Sequence, residues 1–459
     1  MHSIENISHA CLKYRCNDAT LLTDPWIVDE PIKSKVVYKF PPQLSSPDEV
    51  CDDVDFVYIS HTHEDHFHIP SILHLPKSVK FLISDYSFAP HQCERNLLLF
   101  KTLKHFGYTN IHILQPWEWF EISDNFRVCL IPSAFSRFMD WENSGLAVDM
   151  EGHISLNMND NMVDRDLCLK IAEFFPKINI YFIQTAGLST FPACFDMSDE
   201  EKAAALDSKT NNFTMHDLVI DLLQPEFLIP YAGDFGWFGD FSDLTFNSRQ
   251  TPLPLLNYIE NKGLAKTSIF EPGDKIFANE SHTEVKAQKK IDWDNPKAAY
   301  ENAKKNYVKY FSKEDQKFNG SLLADYKDEI DSYFGDISDW HKAFGPVTNF
   351  SASMVYRIHD AETEVLWLVE AETHKRLKLT KVSEVGDDIP QVHNIRLCDF
   401  LSVLAGDYMM SEIQWRTKIS QRIQCDGSVL LIFFINYYFD KANRTPQYLV
   451  NELYRSKAI

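Results

Sequence analysis

Nine residues between positions 60 and 68 constrain this chain more than any other feature. They read SHTHEDHFH, and four of them, His61, His63, Asp65 and His66, form the pattern H-x-H-x-D-H. The run follows the apolar, strand-like stretch DFVYI at 55–59. Imidazole nitrogens and carboxylate oxygens are the ligands that borderline divalent metals prefer. The sequence therefore predicts a metal site directly after a buried strand.

The spacing within the motif divides its ligands between two ions. Side chains alternate along an extended segment, so His61 and His63 point to the same side and can bind one ion as a pair. Asp65 and His66 begin the next element and can reach a second ion. The alternative is a polar loop of solvated histidines, but three histidines and one aspartate within six residues favour the metal site. His68 lies outside the pattern, and we expect it beside the ligands or at the surface.

The length of the chain, 459 residues, exceeds what one ordinary core supports. It predicts either two domains or one large domain with an appendage. The composition becomes rich in lysine from about residue 286. We therefore predict a metal domain over residues 1–285 and a C-terminal accessory region over residues 286–459.

Composition excludes several classes of protein. An apolar fraction of 44% and a charged fraction of 24% are typical of a globular protein. The net charge of −21 argues against long nucleic acids, whose binding depends on Lys and Arg, but leaves room for a small anionic substrate. The longest apolar run, 429–439, is shorter than the ~20 residues of a membrane span. The nine cysteines form no C-x-x-C pair and the N-terminus carries no signal pattern, which together predict a cytoplasmic protein.

Strand-like and helix-like segments alternate through the first 240 residues. Glu151-Gly152 reads as a hairpin turn, and His153 beside it as an exposed turn residue. In the C-terminal region, Asn295 before Pro296 predicts the start of a helix. The predicted strands are 19–26, 55–59, 81–84, 126–131, 145–150, 154–160, 179–184, 227–234, 354–359 and 365–369, and the predicted helices are 70–75, 167–174, 213–223, 296–310, 321–333 and a mostly helical stretch from 397.

Three acidic or imidazole side chains stand at predicted strand ends. Asp24, His61 and Asp160 each follow a strand, and helical segments alternate with these strands. This order predicts a βα sandwich whose loops converge on the ions at one edge. A carboxylate such as Asp160 can bridge two cations about 3.5–4 Å apart. The alternative for Asp160 is an aspartate that caps the next helix.

These motifs resemble the metallo-β-lactamase superfamily. The resemblance rests on H-x-H-x-D-H after an apolar strand, an early Asp-Pro, and a later strand that ends in Asp160. It implies an α/β fold, an αββα sandwich, here followed by a C-terminal α+β extension. Within the superfamily, residues 1–240 are similar to the C-terminal, non-Rieske region of the CMP-N-acetylneuraminate hydroxylase family. The matching segments are DFVYISHTHEDH at 55–66, EGHISLNMND at 151–160, AGLSTFP at 186–192, LQP at 223–225 and PYAG at 230–233.

The chain departs from its resembling families in two ways. The hydroxylase family carries a Rieske iron–sulfur domain, which needs C-x-H and C-x-x-H pairs that this sequence lacks. Electrons would then come from an external donor protein or from the substrate. Many superfamily hydrolases also place a histidine near 132–142 and another after the late strand, and neither is present. Asp140, Glu142 or Asp234 would replace a missing ligand with oxygen, with Asp234 preferred, and oxygen ligands shift the preference from zinc towards iron or manganese.

The resemblance also places His9 and Asp24 near the site. We expect both to stand behind the ligands and to orient ligand imidazoles. A buried core histidine is an equal alternative for His9. Arg137 and Arg165 are candidates for contact with an anionic substrate, against the simpler interpretation as solvated surface arginines.

The predicted function is that of an iron-dependent oxygenase or hydroxylase of a small polar substrate. One or two iron ions would be held by His61, His63, Asp65, His66 and Asp160, and Asp65 and Asp160 are the catalytic candidates. The alternative is a zinc-dependent hydrolase of an ester, amide or phosphodiester. A third interpretation is a binding protein with a vestigial site. We expect the C-terminal region to pack on the metal domain and close the substrate entrance, or to form a homodimer.

Overall fold

Two large β-sheets lie face to face in the computed structural model of the chain. The structure describes residues 2–84, 94–133, 143–161, 163–184, 190–210, 213–232, 235–238, 251–263, 265–279, 282–287, 290–345 and 347–421. The first sheet has eight strands in the order β16-β15-β1-β2-β3-β5-β6-β7. Its strands are β1 (His2–Ser8), β2 (Cys11–Cys16), β3 (Ala19–Thr23), β5 (Phe56–Ile59), β6 (Lys80–Ser84), β7 (Ile111–Leu114), β15 (Lys275–Asn279) and β16 (His282–Lys286).

The second sheet has six strands in the order β13-β12-β11-β10-β9-β8. Its hairpin between β10 and β11 is the predicted one, and Glu151 and Gly152 both have positive φ, as a two-residue turn of this kind requires. A small two-stranded sheet pairs β4 (Val37–Lys39) with β14 (Phe235–Trp237). The strands of the second sheet are β8 (Trp119–Ser123), β9 (Phe126–Pro132), β10 (Ser144–Met150), β11 (His153–Asn157), β12 (Ile180–Gln184) and β13 (Phe227–Tyr231).

Alternation along the strands produces three buried layers. In β9, Val128 and Leu130 face the core between the two sheets, while Cys129 and Ile131 face the helices outside the second sheet. The outer face of the first sheet packs on α1, α2 and α3 in the same way. The helices are α1 (Pro47–Cys51), α2 (Ile69–His74), α3 (Glu94–His105), α4 (Arg165–Phe174), α5 (Asp199–Thr210), α6 (Thr214–Leu223) and α7 (Leu253–Lys262).

The order of layers is therefore helix, sheet, sheet, helix. Helices α4, α6 and α7 supply the apolar residues that cover the second sheet. Local sequence sets the start of at least two helices, since Ser46 and Glu49 form a reciprocal capping box at α1 and the Asp164 carboxylate accepts from the Leu167 amide at α4. The predicted αββα sandwich is confirmed.

The C-terminal region forms an α+β unit around a third large sheet. Its order is β19-β18-β17-β20-β21, and α10 and α11 pack their apolar residues against it. This confirms the predicted α+β extension, while the boundary at residue 286 stays a prediction. The elements are α8 (Lys297–Lys304), α9 (Val308–Asp315), α10 (Lys327–Phe344), β17 (Ala352–His359), β18 (Glu364–Ala371), β19 (Lys378–Val382), β20 (Gln391–Arg396), α11 (Leu397–Leu404), α12 (Met410–Ile413) and β21 (Lys418–Gln421).

Three local predictions differ from the structure. Pro296, rather than Asn295, is the residue that precedes the first helical residue of α8, and no side chain caps it. One helix predicted over 296–310 is two, α8 and α9. The helix predicted over 321–333 begins six residues later, at Lys327, because a 3₁₀ turn occupies Leu323–Asp325.

Two further predictions concern membrane-spanning helices and the apolar run near the C-terminus. Among the described residues, the helices are too short or too polar to cross a membrane. The apolar run 429–439 lies outside the described residues.

Candidate metal centre

The residues of the motif meet other polar side chains at one edge of the sandwich, which we call the metal edge. Strands β3 and β5 run parallel, so their carboxyl ends lie together, and Asp24 and His61 follow those ends. Strands β11 and β12 are also parallel and bring Asp160 and Gln184 to the same edge from the second sheet. His9 follows β1, which runs in the direction of β3 because both pair antiparallel with β2.

The first ligand group consists of His61, His66 and Asp160. One ligand atom from each lies within 4.8 Å of the others. Nε2 of His66 lies 3.2 Å from Oδ1 of Asp160, and Nε2 of His61 lies 3.5 Å from Oδ2. His63 joins this group, since its Nδ1 is 2.8 Å from Nε2 of His61 and 3.6 Å from Oδ2 of Asp160. The structure thus brings four of the predicted ligands around one point.

The second ligand group consists of His9, Asp65 and His66, and it shares His66 with the first. Its ligand atoms also lie within 4.8 Å of one another. Nε2 of His9 lies 3.4 Å from Oδ2 of Asp65, and Nε2 of His66 lies 3.7 Å from the same oxygen. All three side chains are buried. The shared imidazole places the two groups side by side, as a pair of neighbouring ions would need.

Asp24 holds the motif from behind. Its Oδ1 accepts from the Ser60 amide and its Oδ2 from the Ser60 hydroxyl, both at 2.8 Å. Nδ1 of His66 lies 3.0 Å from the same Oδ2. A carboxylate on one ring nitrogen fixes the tautomer and leaves Nε2 free to face a metal. This geometry is the one that the sequence predicts for Asp24, although it does not by itself test the role.

The backbone at the metal edge is strained at the residues that carry these side chains. His9, Asp24 and Asn159 have φ of 38°, 40° and 51°, in the left-handed region that disfavours residues other than glycine. Such conformations cost about 1–3 kcal/mol each and persist only where the surroundings impose them. Each of these three residues follows the end of a strand on the edge where the motif lies.

Asp160 stands on a loop held by a buried polar network. The Asn157 amide donates to the Tyr231 hydroxyl at 2.6 Å, and that hydroxyl donates to Oδ1 of Asn159 at 3.0 Å. The backbone N–H of Asn159 then donates to Oδ1 of Asn157 at 2.9 Å. Gln184 donates directly to Oδ1 of Asp160 at 3.1 Å. These bonds restrict where the carboxylate can point.

The electrostatics of the metal edge favour a positive charge. Burial alone would lower the pKa of His66, but Asp160, Asp65 and Asp24 outweigh burial and hold the pKa well above its ordinary value. Burial would raise the pKa of Asp160 and of Asp65, but the neighbouring imidazoles hold both well below their usual range. The cluster therefore retains ionised carboxylates and attracts a cation.

The donor set fits divalent metal ions. Nε2 of His66 and Nε2 of His9 are buried, and neither makes a hydrogen bond within the part of the chain that the structure describes. Burial of an imidazole nitrogen without a partner costs about 1–3 kcal/mol. Both nitrogens face the Asp65 carboxylate, so an ion between them would satisfy nitrogen and oxygen together. Four imidazoles and two carboxylates suit iron or zinc.

Several other predicted residues lie away from the ligand groups or outside the described chain. His68 is buried with its Nδ1 2.8 Å from the Ser71 hydroxyl, beside the motif but in neither group. Arg165 is exposed at the start of α4. Arg137, Asp140, Glu142 and Asp234 lie outside the described residues.

The prediction that His153 is an exposed turn residue is wrong. His153 is the first residue of β11 and is fully buried, with its Nε2 2.9 Å from the Thr283 hydroxyl of β16. The turn itself contains only Glu151 and Gly152, so the next residue already belongs to the strand and points between the sheets.

The C-terminal region contacts the segment beside the motif. Glu64, the acid of the motif that joins neither ligand group, accepts from the Lys33 amide at 3.0 Å and pairs with Lys33 Nζ at 3.3 Å. Arg416 donates to the Ser34 carbonyl at 2.9 Å, and Ile419 pairs with Phe195 in an isolated bridge. The accessory region therefore reaches loops at the metal edge.

Sequence reasoning missed Ser60, Gln184 and Tyr231 as residues of the site. Ser60 precedes the motif directly, and its position was a usable signal for a contact with Asp24. Gln184 ends a predicted strand, as Asp24 and Asp160 do, so the same rule of strand ends could have found it. Tyr231 lies inside a buried strand, and only the packing of β13 on β12 shows its role.

Comparison with protein families identifies the N-terminal part. Residues 3–148 match the family model described as the beta-lactamase superfamily domain. This part of the chain is similar to that superfamily domain. The match covers β1 to β10 and includes the whole H-x-H-x-D-H motif, while Asp160 lies beyond its end. Together with the αββα layers, it confirms the metallo-β-lactamase fold that the sequence predicts.

Curated relatives of the domain include hydroxylases. The cytidine monophosphate-N-acetylneuraminic acid hydroxylase of Danio rerio is 23% identical over 239 residues, which is 50% of this chain and 37% of that protein. The Mus musculus protein of the same name is 23% identical over 246 residues, again 50% of this chain and 39% of that protein. The match thus spans well under half the length of these relatives, and their activity as whole proteins does not transfer directly.

Solved structures with a similar fold include both hydrolases and a hydroxylase. CmlA, a diiron beta-hydroxylase from Streptomyces venezuelae, aligns with a TM-score of 0.43 and 16% identity, over 62% of this chain and 54% of that chain. A metallo hydrolase from Ignicoccus hospitalis aligns with a TM-score of 0.41 and 17% identity, over 61% of this chain and 99% of that chain. With scores this low, neither likeness bears on the reaction.

Proposed function

We propose that the chain is an iron-dependent oxygenase or hydroxylase that acts on a small polar substrate at the metal edge. The observation that carries the proposal is the set of three carboxylates around His66, the buried Asp24 and Asp65 and the partly buried Asp160. Two of them, Asp65 and Asp160, are candidate ligands, and oxygen ligands favour iron over a site made of imidazoles alone. The similarity of half the chain to hydroxylases supports the same class of reaction.

We assign the ligands to two neighbouring ions. The first ion would be held by His61, His63 and Asp160, because their ligand atoms lie within 3.6 Å of one another. His66, Asp65 and His9 would hold the second. His9 then acts as a ligand instead of standing behind one, and it supplies an imidazole where the usual superfamily histidines are missing. Asp234 remains a candidate ligand from the sequence.

The residues around the ligands keep the site ordered and dry. The Asp24 carboxylate fixes the His66 ring, and Gln184 fixes the orientation of Asp160. Trp26 and Phe235 pack against His9, with ring centroids 5.7 and 4.7 Å from its own, and exclude water from that side. Bound iron would supply redox chemistry to this pocket. Asp65 and Asp160 are the carboxylates positioned to accept or return a proton at the substrate.

The alternative is a zinc-dependent hydrolase of an ester, amide or phosphodiester. The match to the beta-lactamase superfamily domain favours it, and zinc accepts the same mixture of imidazole and carboxylate ligands. In that case bound zinc would supply Lewis acidity, and Asp65 or Asp160 would orient the attacking water.

Metal analysis and oxygen consumption separate the two functions. The full chain is purified from cells supplied with both iron and zinc, and its metal content is measured per chain. We expect iron at the metal edge, with oxygen consumed when a chemical reductant replaces the predicted donor protein. Zinc alone, with ester or phosphodiester turnover in the absence of oxygen, would overturn the oxygenase and establish the hydrolase.

The wider biological predictions depend on this proposal. The external electron-donor protein, the cytoplasmic location and the homodimer remain predictions of the sequence. We also propose that the C-terminal region limits access to the metal edge, because Arg416 and Ile419 contact loops beside it.

A further inference from the structure

A second cluster of metal-ligand side chains lies at the other edge of the sandwich, which we call the opposite edge. His2 begins β1 and Cys16 ends β2, one step beyond the Ser3–Arg15 pair of the ladder. Glu151 lies in the turn between β10 and β11. Since β1 spans seven residues, the cluster is roughly 20 Å from His9 and the metal edge. It is therefore separate from the proposed catalytic centre.

The cluster joins the two sheets. Cys16 belongs to the core between them, together with Ile4 and Tyr14 on the same face of β1 and β2. The opposing sheet contributes Glu151. A ligand atom from each of the three residues lies within 4.8 Å of the other two, and Nδ1 of His2 is 3.4 Å from Oε2 of Glu151. Three chemically different ligands thus converge from both sheets.

The histidines of the cluster have unused nitrogens. His2 is 1% exposed, and neither of its ring nitrogens makes a hydrogen bond within the described ranges of the chain. The ring of His153 lies beside it, with centroids 6.2 Å apart. Nε2 of His153 contacts Thr283, and in the described chain its Nδ1 has no hydrogen-bond partner. A buried imidazole without partners carries a cost that a bound ion would remove.

In the free cluster at neutral pH the His2 imidazole is neutral and the Cys16 thiol is protonated. Burial lowers the pKa of His2, so its imidazole is neutral and a nitrogen lone pair is available. Burial raises the pKa of the Cys16 thiol to about 11. Metal binding at this thiol therefore releases a proton and strengthens as the pH rises.

We propose that His2, Cys16 and Glu151 form a second metal site, of the zinc class, that fastens the two sheets together at the opposite edge. Nitrogen, sulfur and oxygen ligands in one site are typical of zinc. Tetrahedral zinc would set its ligand atoms roughly 3.5 Å apart, and Nδ1 of His2 and Oε2 of Glu151 already lie 3.4 Å apart. His153 is the nearest side chain for the fourth position, which otherwise faces solvent past the part-exposed Glu151.

Cobalt(II) tests this site separately from the metal edge. The ligands proposed at the metal edge include no cysteine, so only the opposite edge gives thiolate-to-cobalt charge-transfer absorption in the near ultraviolet. Full-length metal-free protein is titrated with cobalt(II). We expect this absorption in the wild type and in His61→Ala. At saturation, the wild type should bind one more equivalent of cobalt per chain than Cys16→Ser.

The variants Cys16→Ser and His2→Ala should abolish the absorption, and Cys398→Ser, at a partly exposed thiol, serves as the matched control that keeps it. Glu151→Gln, at an exposed turn, should fold normally by circular dichroism and weaken cobalt binding at least tenfold. Absence of the absorption in the wild type, or its persistence in folded Cys16→Ser, would overturn the proposal without affecting the function proposed for the metal edge.

Discussion

The metal edge and the opposite edge of the sandwich both hold buried histidines, but they differ in charge. At the metal edge, Asp160, Asp65 and Asp24 surround His66 and hold its pKa well above the ordinary value. At the opposite edge, burial lowers the pKa of His2 and lowers that of His153 to about 4. His66 is therefore poised to be cationic, whereas burial lowers the pKa of His2 and His153, as it also lowers the pKa of His61 at the metal edge.

The backbone of the two edges can be compared in the same way. Positive φ values at the opposite edge occur at Glu151 and Gly152, where the hairpin turn requires them. At the metal edge they occur at His9, in the two-residue turn between β1 and β2, and at Asp24, which follows β3 in no such hairpin. Turn geometry therefore accounts for the positive φ of His9 as it does at Glu151, and the two edges differ in charge more than in backbone conformation.

Removing the central carboxylate should have the largest effect. Asp160→Ala takes away the carboxylate oxygens nearest to Nε2 of His61 and to Nε2 of His66. We expect metal at the metal edge to be lost and activity to fall by at least about 100-fold, measured by metal analysis and turnover. Asp166→Asn, at an exposed position of α4, is the control. Full metal occupancy in Asp160→Ala would refute the assignment of Asp160 as a metal ligand.

Changing the carboxylate behind the motif should have a smaller effect. Asp24→Asn keeps the size of the side chain but weakens the contacts with Ser60 and His66. Metal affinity at the metal edge should fall about 10–100-fold, measured by competition with a chelator. Asp18→Asn, in an exposed turn, should leave affinity unchanged. If both variants bind metal equally well, Asp24 has no orienting role.

The opposite edge should contribute a distinct pH dependence in metal-free protein. His153 has a folded pKa of about 4 against an ordinary value of 6.5, so the unfolded chain binds more protons between these values. Stability is then present above pH 6.5 and is lost as the pH falls through this window, by about 1–2 kcal/mol at pH 5. Urea unfolding of wild type and His153→Gln at pH 7 and pH 5 measures the difference.

His153→Gln should lose less stability than the wild type between the two pH values. Parallel losses would mean that His153 does not titrate differently in the two states. The pH dependence of stability that arises from His66 has the opposite sign. Its raised pKa stabilises the folded protein below pH 6.5, and this stability is lost as the pH rises through the pKa of the folded state. The two profiles of stability against pH therefore distinguish His153 at the opposite edge from His66 at the metal edge.

Substitution of Glu64, the acid of the motif that belongs to neither ligand group, should have the smallest effect on metal binding. Glu64→Gln weakens the contacts with Lys33 and should cost about 1 kcal/mol of stability with no change in metal content. The neighbouring Asp65→Asn, by contrast, should reduce metal content. Equal metal loss in both variants would show that the motif binds metal less selectively than the structure indicates.

The motif and the fold class could be predicted from the sequence because both are local. The alternation of residues in β9 and the strand before His61 set which side chains face the core, and the donor chemistry of H-x-H-x-D-H predicts a metal site without further context. Asp160 was predictable from its place at a strand end. The hairpin at Glu151-Gly152 followed from the turn residues alone.

Other features depend on contacts between residues far apart in the chain. His9 and Asp65 are 56 positions apart in number, and only the pairing of β1 with β2 and of β3 with β5 brings them within 3.4 Å. His153 looks like a turn residue in the sequence, but the packing of β11 and β16 buries it against Thr283. Helix α8 begins after Pro296 without a side-chain cap, so local preference did not set that boundary.

Periodicity and donor chemistry over short stretches of the sequence were enough to predict the sandwich class, the position of the motif and the candidate ligand types. The tertiary structure decided which imidazoles meet which carboxylates, because burial and charge at each edge depend on strands from both sheets. It also decided that His2, Cys16 and Glu151 lie together, since no local pattern links residues 2, 16 and 151. Long-range pairing, rather than local preference, therefore separates a charged edge from a neutral one.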